Sequence, residues 1–130
     1  MEYIENFTNL SDLQINFNQI EKIDFIKNLT KLENFWICEN KIKVIENLPK
    51  NLKTFWAALN FVEKLDTNSF KDCSRNLTEL NISGNFLSSF KDLNIISHLE
   101  KLKILNLNDP NFGENPICLI NNYQFALQRL

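Results

Sequence analysis

Residues 20–42 read IEKIDFIKNLTKLENFWICENKI and carry two periodicities in succession. Apolar side chains first recur at every third position, from Ile20 to Phe35, and then at every second position, from Phe35 to Ile37. A period of three that changes into a period of two fits neither a long α-helix nor a plain strand. The stretch predicts one coil of a solenoid, with a back that resembles a 3₁₀-helix and a short strand at the front.

The rest of the chain repeats this unit. The pattern Leu-x-x-Leu-x-Leu-x-x-Asn-x-Leu, with substitutions, occurs five times, and the copies begin at Leu10, Leu32, Leu52, Leu77 and Leu102. The copies are 22, 20, 25 and 25 residues apart. These spacings lie within the range of leucine-rich repeats.

Asparagine recurs at the point where each predicted strand ends. In the first four copies this position holds Asn18, Asn40, Asn60 and Asn85. The fifth copy has Pro110 there instead. An amide side chain can both donate to and accept from backbone groups that a turn leaves unpaired. We therefore expect these four asparagines to form a structural ladder along the solenoid.

A single repeat is too small to bury its own apolar side, so neighbouring repeats stack and share one core. The sequence thus predicts an α/β fold: a right-handed leucine-rich-repeat solenoid with short parallel strands on the concave face and 3₁₀ or short helical segments on the convex face. Residues 1–107 would form about five repeats and residues 108–130 a C-terminal helical cap. In the third repeat, residues 66–76 can start a short helix capped by Asp66 or Thr67.

Two stretches resemble known families. The three-residue period from Ile20 to Leu32 resembles the 22-residue subclass of leucine-rich repeats, typified by the nuclear regulatory subunit of protein phosphatase 1, an axonemal dynein light chain and a spliceosomal protein. Residues 108–124, NDPNFGENPICLINNYQ, are similar to the terminal cap of this subclass, in which an Asn-Pro step leads into a helix that carries a tyrosine. The longer Asp-Pro-x-Phe-Gly-x-Asn-Pro form resembles large multi-repeat proteins of cilia and flagella.

The cap is also predicted from its own residues. Pro110 and Pro116 cannot donate to a strand ladder, so the repeats should stop there. One side of a following short helix would consist of Ile117, Leu119, Ile120, Tyr123, Leu127 and Leu130. The cap of the resembling family usually continues beyond this point, and no polar cap precedes Ile4 and Phe7 at the other end. We therefore expect a truncated cap and a longer parent protein.

The concave face supplies the candidate binding residues. Side chains between the two inward-facing positions of each strand point to this face, which puts Trp36 and Trp56 on adjacent strands about 5 Å apart. Exposed tryptophans reduce solubility and are enriched in binding hot spots. The predicted partner-binding residues are Gln14, Phe17, Trp36, Glu39, Trp56, Leu59, Asn81 and Asn106. Alternatively, the two tryptophans stack on each other or are covered by a segment of the same protein that is missing from this sequence.

No sequence pattern predicts catalysis, a cofactor or a metal site. The chain has no Gly-rich phosphate loop, no metal spacing of histidines and carboxylates, and no nucleophile elbow. Its three cysteines form neither a disulfide framework nor a Cys-x-x-Cys pair, which suits a reducing compartment. The single histidine, His98, is expected on the convex surface. We expect no signal peptide, because residues 1–6 are acidic and lack an apolar region.

The charge and the resemblances narrow the expected function. A formal net charge of −2 disfavours direct contact with nucleic acid, and no apolar run approaches the roughly 18 residues that span a membrane. The cap resemblance implies a non-catalytic protein-interaction scaffold in a ciliary, axonemal or other cytoskeletal assembly of the cytoplasm. The repeat subclass implies two alternatives. One is a regulatory subunit that grips a phosphatase catalytic subunit with aromatic and acidic side chains. The other is a protein component of an RNA-protein particle.

Overall fold

The computed structural model describes residues 3–129 and contains one sheet of five parallel strands. The strands are β1 (Asp12–Gln14), β2 (Asn34–Trp36), β3 (Thr54–Trp56), β4 (Glu79–Asn81) and β5 (Ile104–Asn106). Their order in the sheet is their order in the sequence, as expected when each coil stacks on the one before. The predicted α/β leucine-rich-repeat solenoid is therefore confirmed.

The strands pair in the register that the repeat pattern predicts. Phe35 lies opposite Leu13 on one side and Phe55 on the other, and Trp36 lies opposite Trp56. The rings of Phe35 and Phe55 are fully buried and stack with their centroids 5.7 Å apart. Because side chains alternate along a strand, burying this row turns the two tryptophans to the concave face.

The convex side is formed by short helical turns. These are the 3₁₀-helices Ile4–Asn6 and Asp24–Ile26, and the α-helix α1 (Phe90–Ile96). A capping box begins α1: Ser89 accepts from the backbone of Lys91, and Asp92 accepts from the backbone of Ser89. The other carboxylate oxygen of Asp92 accepts from the Leu65 N–H at 2.8 Å, which ties this helix to the preceding coil.

The third repeat differs from the sequence prediction, because residues 67–76 form successive turns and no helix. Side chains at the start of the segment bond to the backbone locally. The Asp66 carboxylate accepts from the Asn68 N–H at 2.8 Å, and the Ser69 hydroxyl accepts from the Asp66 N–H at 3.0 Å. Such local bonds offer the backbone an alternative to helical hydrogen bonds.

Asparagine side chains join successive coils, and we call this row the Asn ladder. Asn60 is representative: its Nδ2 donates to the carbonyls of Ile37 (3.0 Å) and Ala57 (3.1 Å), and its Oδ1 accepts from the Ile42 N–H (2.9 Å). Asn40 and Asn85 make the equivalent bonds, and all three side chains are buried. Asn18 is exposed and donates only to carbonyls of its own coil.

In the fifth coil the ladder asparagine, which we call the fifth rung, is Asn115. The sequence repeat had placed this position at Pro110. Its Nδ2 donates to the carbonyls of Ile82 (2.9 Å) and Leu107 (3.0 Å), and its Oδ1 accepts from the Leu87 N–H (3.0 Å). Residues 108–114 are inserted before this rung. They form a hairpin of two antiparallel strands, β6 (Asn108–Asp109) and β7 (Gly113–Glu114). Pro110 therefore lies in the turn of a hairpin.

The cap also differs from the single helix that was predicted. A 3₁₀-helix covers Pro116–Leu119, and a second α-helix, α2, covers Tyr123–Leu127. Between them Asn122 has φ +70°, a left-handed conformation that interrupts a helix. Leu119 is 71% exposed and so lies outside the apolar side, and Leu130 lies outside the described residues.

Candidate functional site

We define the concave surface as the side chains that residues 12–17, 34–39, 54–59, 79–84 and 104–109 turn away from the core. In four coils the residue just before the Asn ladder has a left-handed backbone: Phe17, Glu39, Leu59 and Gly84, with φ between +53° and +64°. This conformation turns the chain off the strand. It is strained for residues other than glycine.

The part of the concave surface formed by β1 and β2 is open. Gln14 and Phe17 are exposed, whereas Trp36 and Glu39 are half-buried. Phe17 is 74% exposed in spite of its left-handed backbone, so the native fold gains little from its ring. These four residues, all predicted to contact a partner, lie on adjacent strands or on the turns that follow them.

A polar network borders this open part. Asp12 accepts from the Ser11 hydroxyl at 2.5 Å and from the Asn34 amide at 2.7 Å. These two hydrogen bonds favour the ionised form, the Ser11 bond more strongly, and lower the pKa of the Asp12 carboxyl. The surface beside Trp36 is therefore negatively charged.

The part formed by β3 and β4 is covered by the hairpin of residues 108–114. The ring of Phe112 meets Trp56 edge to face, with the centroids 6.4 Å apart and the planes at 81°. The indole Nε1 of Trp56 donates to Glu79 Oε1 at 2.8 Å, which helps to fix the orientation of the ring. Trp56, which is half-buried like Trp36, is thus partly covered by a segment of this chain.

Gly84 allows the hairpin to come this close. A Cβ atom at this position would collide with the backbone carbonyl of Phe112 and press on the Leu59 side chain. In the three preceding coils the same position carries a side chain, so Gly84 marks where the concave surface receives the hairpin.

Asn81 differs from the expectation that it contacts a partner, because its side chain is fully buried. Its Oδ1 accepts from the backbone N–H and the hydroxyl of Ser83. Its Nδ2 has no hydrogen-bond partner among the residues that the structure describes. Of the remaining predicted residues, Leu59 is 36% exposed and Asn106 is half-buried.

Two cysteine thiols lie in the core. Burial, with a smaller contribution from Glu39 and Asp109, raises the pKa of Cys38 from its usual 9.0 to about 11. Burial raises the pKa of Cys73 to about 12. Both values favour the neutral thiol, which is a poor nucleophile.

We predict that Cys38 and Cys73 resist alkylation by iodoacetamide at pH 8 in the folded chain and react readily in denaturant, as mass spectrometry of the labelled peptides will show. Since the unfolded thiols ionise first, the contribution of these thiols to the free energy of unfolding should fall as the pH rises from 9 towards 11. Equal labelling of Cys73 in the folded and unfolded chain would contradict this.

Two further classes of site concern metal ions and helices that cross a membrane, here for residues 3–129. Within that range no group of three or more His, Cys, Asp or Glu side chains is arranged to hold a metal ion. None of the helices there combines the length and the apolar character needed to cross a bilayer. The His98 ring is exposed, with its Nδ1 2.7 Å from the Asn94 carbonyl.

Comparison with known proteins supports the fold. No protein-family model matches the sequence. An internalin (InlF) from Listeria monocytogenes aligns with 98% of this chain at 22% identity and a TM-score of 0.74, and the match spans 35% of the internalin chain. A chain of the SNF/U2A′ complex from Drosophila melanogaster aligns with 92% of this chain at 23% identity and a TM-score of 0.68, over 68% of its own length. At these identities the likeness establishes the fold alone.

Proposed function

We propose that this chain is a non-catalytic scaffold that binds a protein partner on the open part of its concave surface. The observation that carries the proposal is the aromatic pair Phe17 and Trp36 beside Gln14 and Glu39. The Phe17 side chain is 74% exposed and its backbone is strained, so its ring contributes little to the stability of the fold. Tryptophan is enriched among the hot spots of protein interfaces, and phenylalanine is enriched in the buried part of such interfaces.

The distribution of charge favours a protein partner over nucleic acid. The five segments of the concave surface contain Asp12, Glu39, Glu79 and Asp109, and none of the 14 Lys and Arg residues of the chain. A surface with this sign repels a phosphate backbone and attracts a segment that carries Lys or Arg. The part of the partner that contacts β1 and β2 is therefore proposed to have a positive net charge.

We predict that Trp36→Ala weakens binding of the partner by about 2 kcal/mol, or roughly thirtyfold, while the chain still folds. Isothermal titration calorimetry measures the affinity and circular dichroism the fold. The matched control is Phe86→Ala, which removes an aromatic side chain, 49% exposed, that lies outside the five concave segments. Unchanged binding by the Trp36 variant, or equal weakening by both variants, would rule out the concave surface.

The assembly to which the scaffold belongs is a separate part of the proposal. The Asp-Pro-x-Phe-Gly-x-Asn-Pro cap supports a ciliary or axonemal assembly in the cytoplasm. The acidic and aromatic concave surface would also suit a phosphatase catalytic subunit. The resemblance of the repeats to the 22-residue subclass supports a third candidate, a protein of an RNA-protein particle.

Affinity purification from native cells, performed in parallel with wild type and the Trp36→Ala variant, separates these assemblies. The true partner should be recovered by wild type and lost with the variant. Recovery of axonemal proteins by wild type but not by the variant supports the ciliary assembly. Recovery of a phosphatase subunit or a ribonucleoprotein in that pattern would instead support the second or the third assembly.

A further inference from the structure

Residues 108–114, which we call the strap, lie across the β3–β4 part of the concave surface. We infer that the strap is a displaceable cover, and that its Phe112 occupies a site where a partner spanning the whole surface places an aromatic side chain of its own. This inference rests on the proposed function, because it concerns the same surface. The strap would control access to the β3–β4 part of that surface, and this part would bind an aromatic side chain of the partner.

The contacts of Phe112 define the site. Its ring stands edge to face on Trp56, the geometry that the charge distribution of aromatic rings favours, while its carbonyl lies against the bare backbone of Gly84. Trp56 is held in place by Glu79. A flat ring therefore finds a preformed aromatic partner here, and an incoming loop finds room for its backbone beside Gly84.

The strap has little to hold it in place beyond this contact. Its two strands have two residues each and belong to a separate two-stranded sheet. Two further bonds lie within its turn, from the Phe112 N–H to the Asp109 carbonyl (3.1 Å) and from the Asn111 N–H to the Asp109 carboxylate (2.8 Å). Two-stranded hairpins of this size are marginally stable without packing.

The covered state also leaves a polar group unpaired. Asn81 belongs to the concave row between Trp56 and Asn106, next to the ring that Phe112 contacts, and its side chain is buried. Its Nδ2 has no partner among the described residues, and its Oδ1 is engaged by Ser83. A buried donor without an acceptor disfavours the state that buries it. Opening the strap would let water reach this amide.

Both ends of the strap are fixed independently of its position. Asn115 donates to the Leu107 carbonyl through its backbone N–H (3.2 Å) and through its side chain (3.0 Å). The strap can therefore swing about this base while the fifth rung of the Asn ladder stays intact. Opening is a local event, separate from unfolding of the solenoid.

The first experiment measures access to Trp56. The chain has two tryptophans, so a Trp36→Phe background leaves Trp56 as the only source of tryptophan fluorescence. In this background we expect Phe112→Ala to raise the acrylamide quenching constant of Trp56 about threefold with an unchanged circular dichroism spectrum. Phe112→Leu keeps an apolar side chain but loses the ring. Its quenching constant should lie between that of the Trp36→Phe background and that of Phe112→Ala. Phe125→Ala in α2 is the matched control and should leave quenching unchanged. Equal quenching in all variants would overturn the inference.

The second experiment tests the site with a random peptide library displayed on phage, selected on the Phe112→Ala chain that retains both tryptophans. Enriched peptides should carry an aromatic residue and bind this variant about tenfold more tightly than wild type. In the Trp36→Phe background they should also protect Trp56 from acrylamide. Peptides that bind wild type and the Phe112→Ala variant equally, but do not bind Trp36→Ala, would contradict the inference about the strap. They would leave the proposed function supported. A selection that yields no peptide protecting Trp56 would also overturn it.

Discussion

Replacing Asn60 with alanine is expected to lower the free energy of unfolding by about 3 kcal/mol. The substitution removes donors to the carbonyls of Ile37 and Ala57 and the acceptor for the Ile42 N–H, all at a buried position. Alanine cannot replace any of these bonds, and water has no access to the freed groups. Urea unfolding followed by circular dichroism measures the loss.

Asn18→Ala is the matched control for this prediction. Asn18 has the same place in its repeat but is exposed, and its amide bonds only to the carbonyls of Ile15 and Asn16 in its own coil. Water can take over those bonds, so we expect a loss of about 0.5 kcal/mol or less. Similar losses for the two variants would show that the bonds between coils are not what the asparagines contribute.

Replacing Gly84 with alanine is expected to lower the free energy of unfolding by about 2 kcal/mol and to displace the strap. The residue has φ +64°, where a side chain costs about 1–2 kcal/mol. The new Cβ would also collide with the Phe112 carbonyl, a backbone atom that can retreat only if the hairpin moves. Hydrogen exchange should show the Phe112 N–H losing protection, while the Ile117 N–H, which bonds to the Leu87 carbonyl, keeps it.

Gly113→Ala separates the two causes. Gly113 also has a positive φ, +84°, but no atom lies within 4 Å of the position its Cβ would take. This variant should show the conformational cost alone, about 1 kcal/mol, with the strap still on Trp56. If Gly84→Ala behaves like Gly113→Ala in both stability and exchange, the close approach at Gly84 does not position the strap.

The repeating part of the fold follows from the sequence because each coil meets the same local demands. Phe35 and Phe55 occupy equivalent positions in two repeats, and the structure stacks their rings in the core as the register requires. The same periodicity turns Trp36 and Trp56 outward. Short-range patterns suffice here, since each coil contacts only its neighbours.

The strap could not be read from periodicity, because it belongs to no repeat. Phe112 follows β5, the last strand of the parallel sheet, yet packs on Trp56 in β3, two strands away. A signal for the insertion does exist in the sequence. Asn115 is followed two residues later by Ile117, the spacing that Asn85 and Leu87 show in the preceding repeat. Among the asparagines that follow β5, only Asn115 has this spacing to an aliphatic residue.

Those bonds of the Asn ladder that join two coils all link an asparagine to backbone groups of the preceding coil. Asn60 completes groups that belong to Ile37 and Ile42, which precede it in the chain. During synthesis, the backbone groups of one coil can therefore be paired only after the asparagine of the next coil has been made. For the coil of Asn40 this is Asn60, 20 residues later. Folding during synthesis would trail translation by one coil, and the last coil would close only after the whole strap had been made.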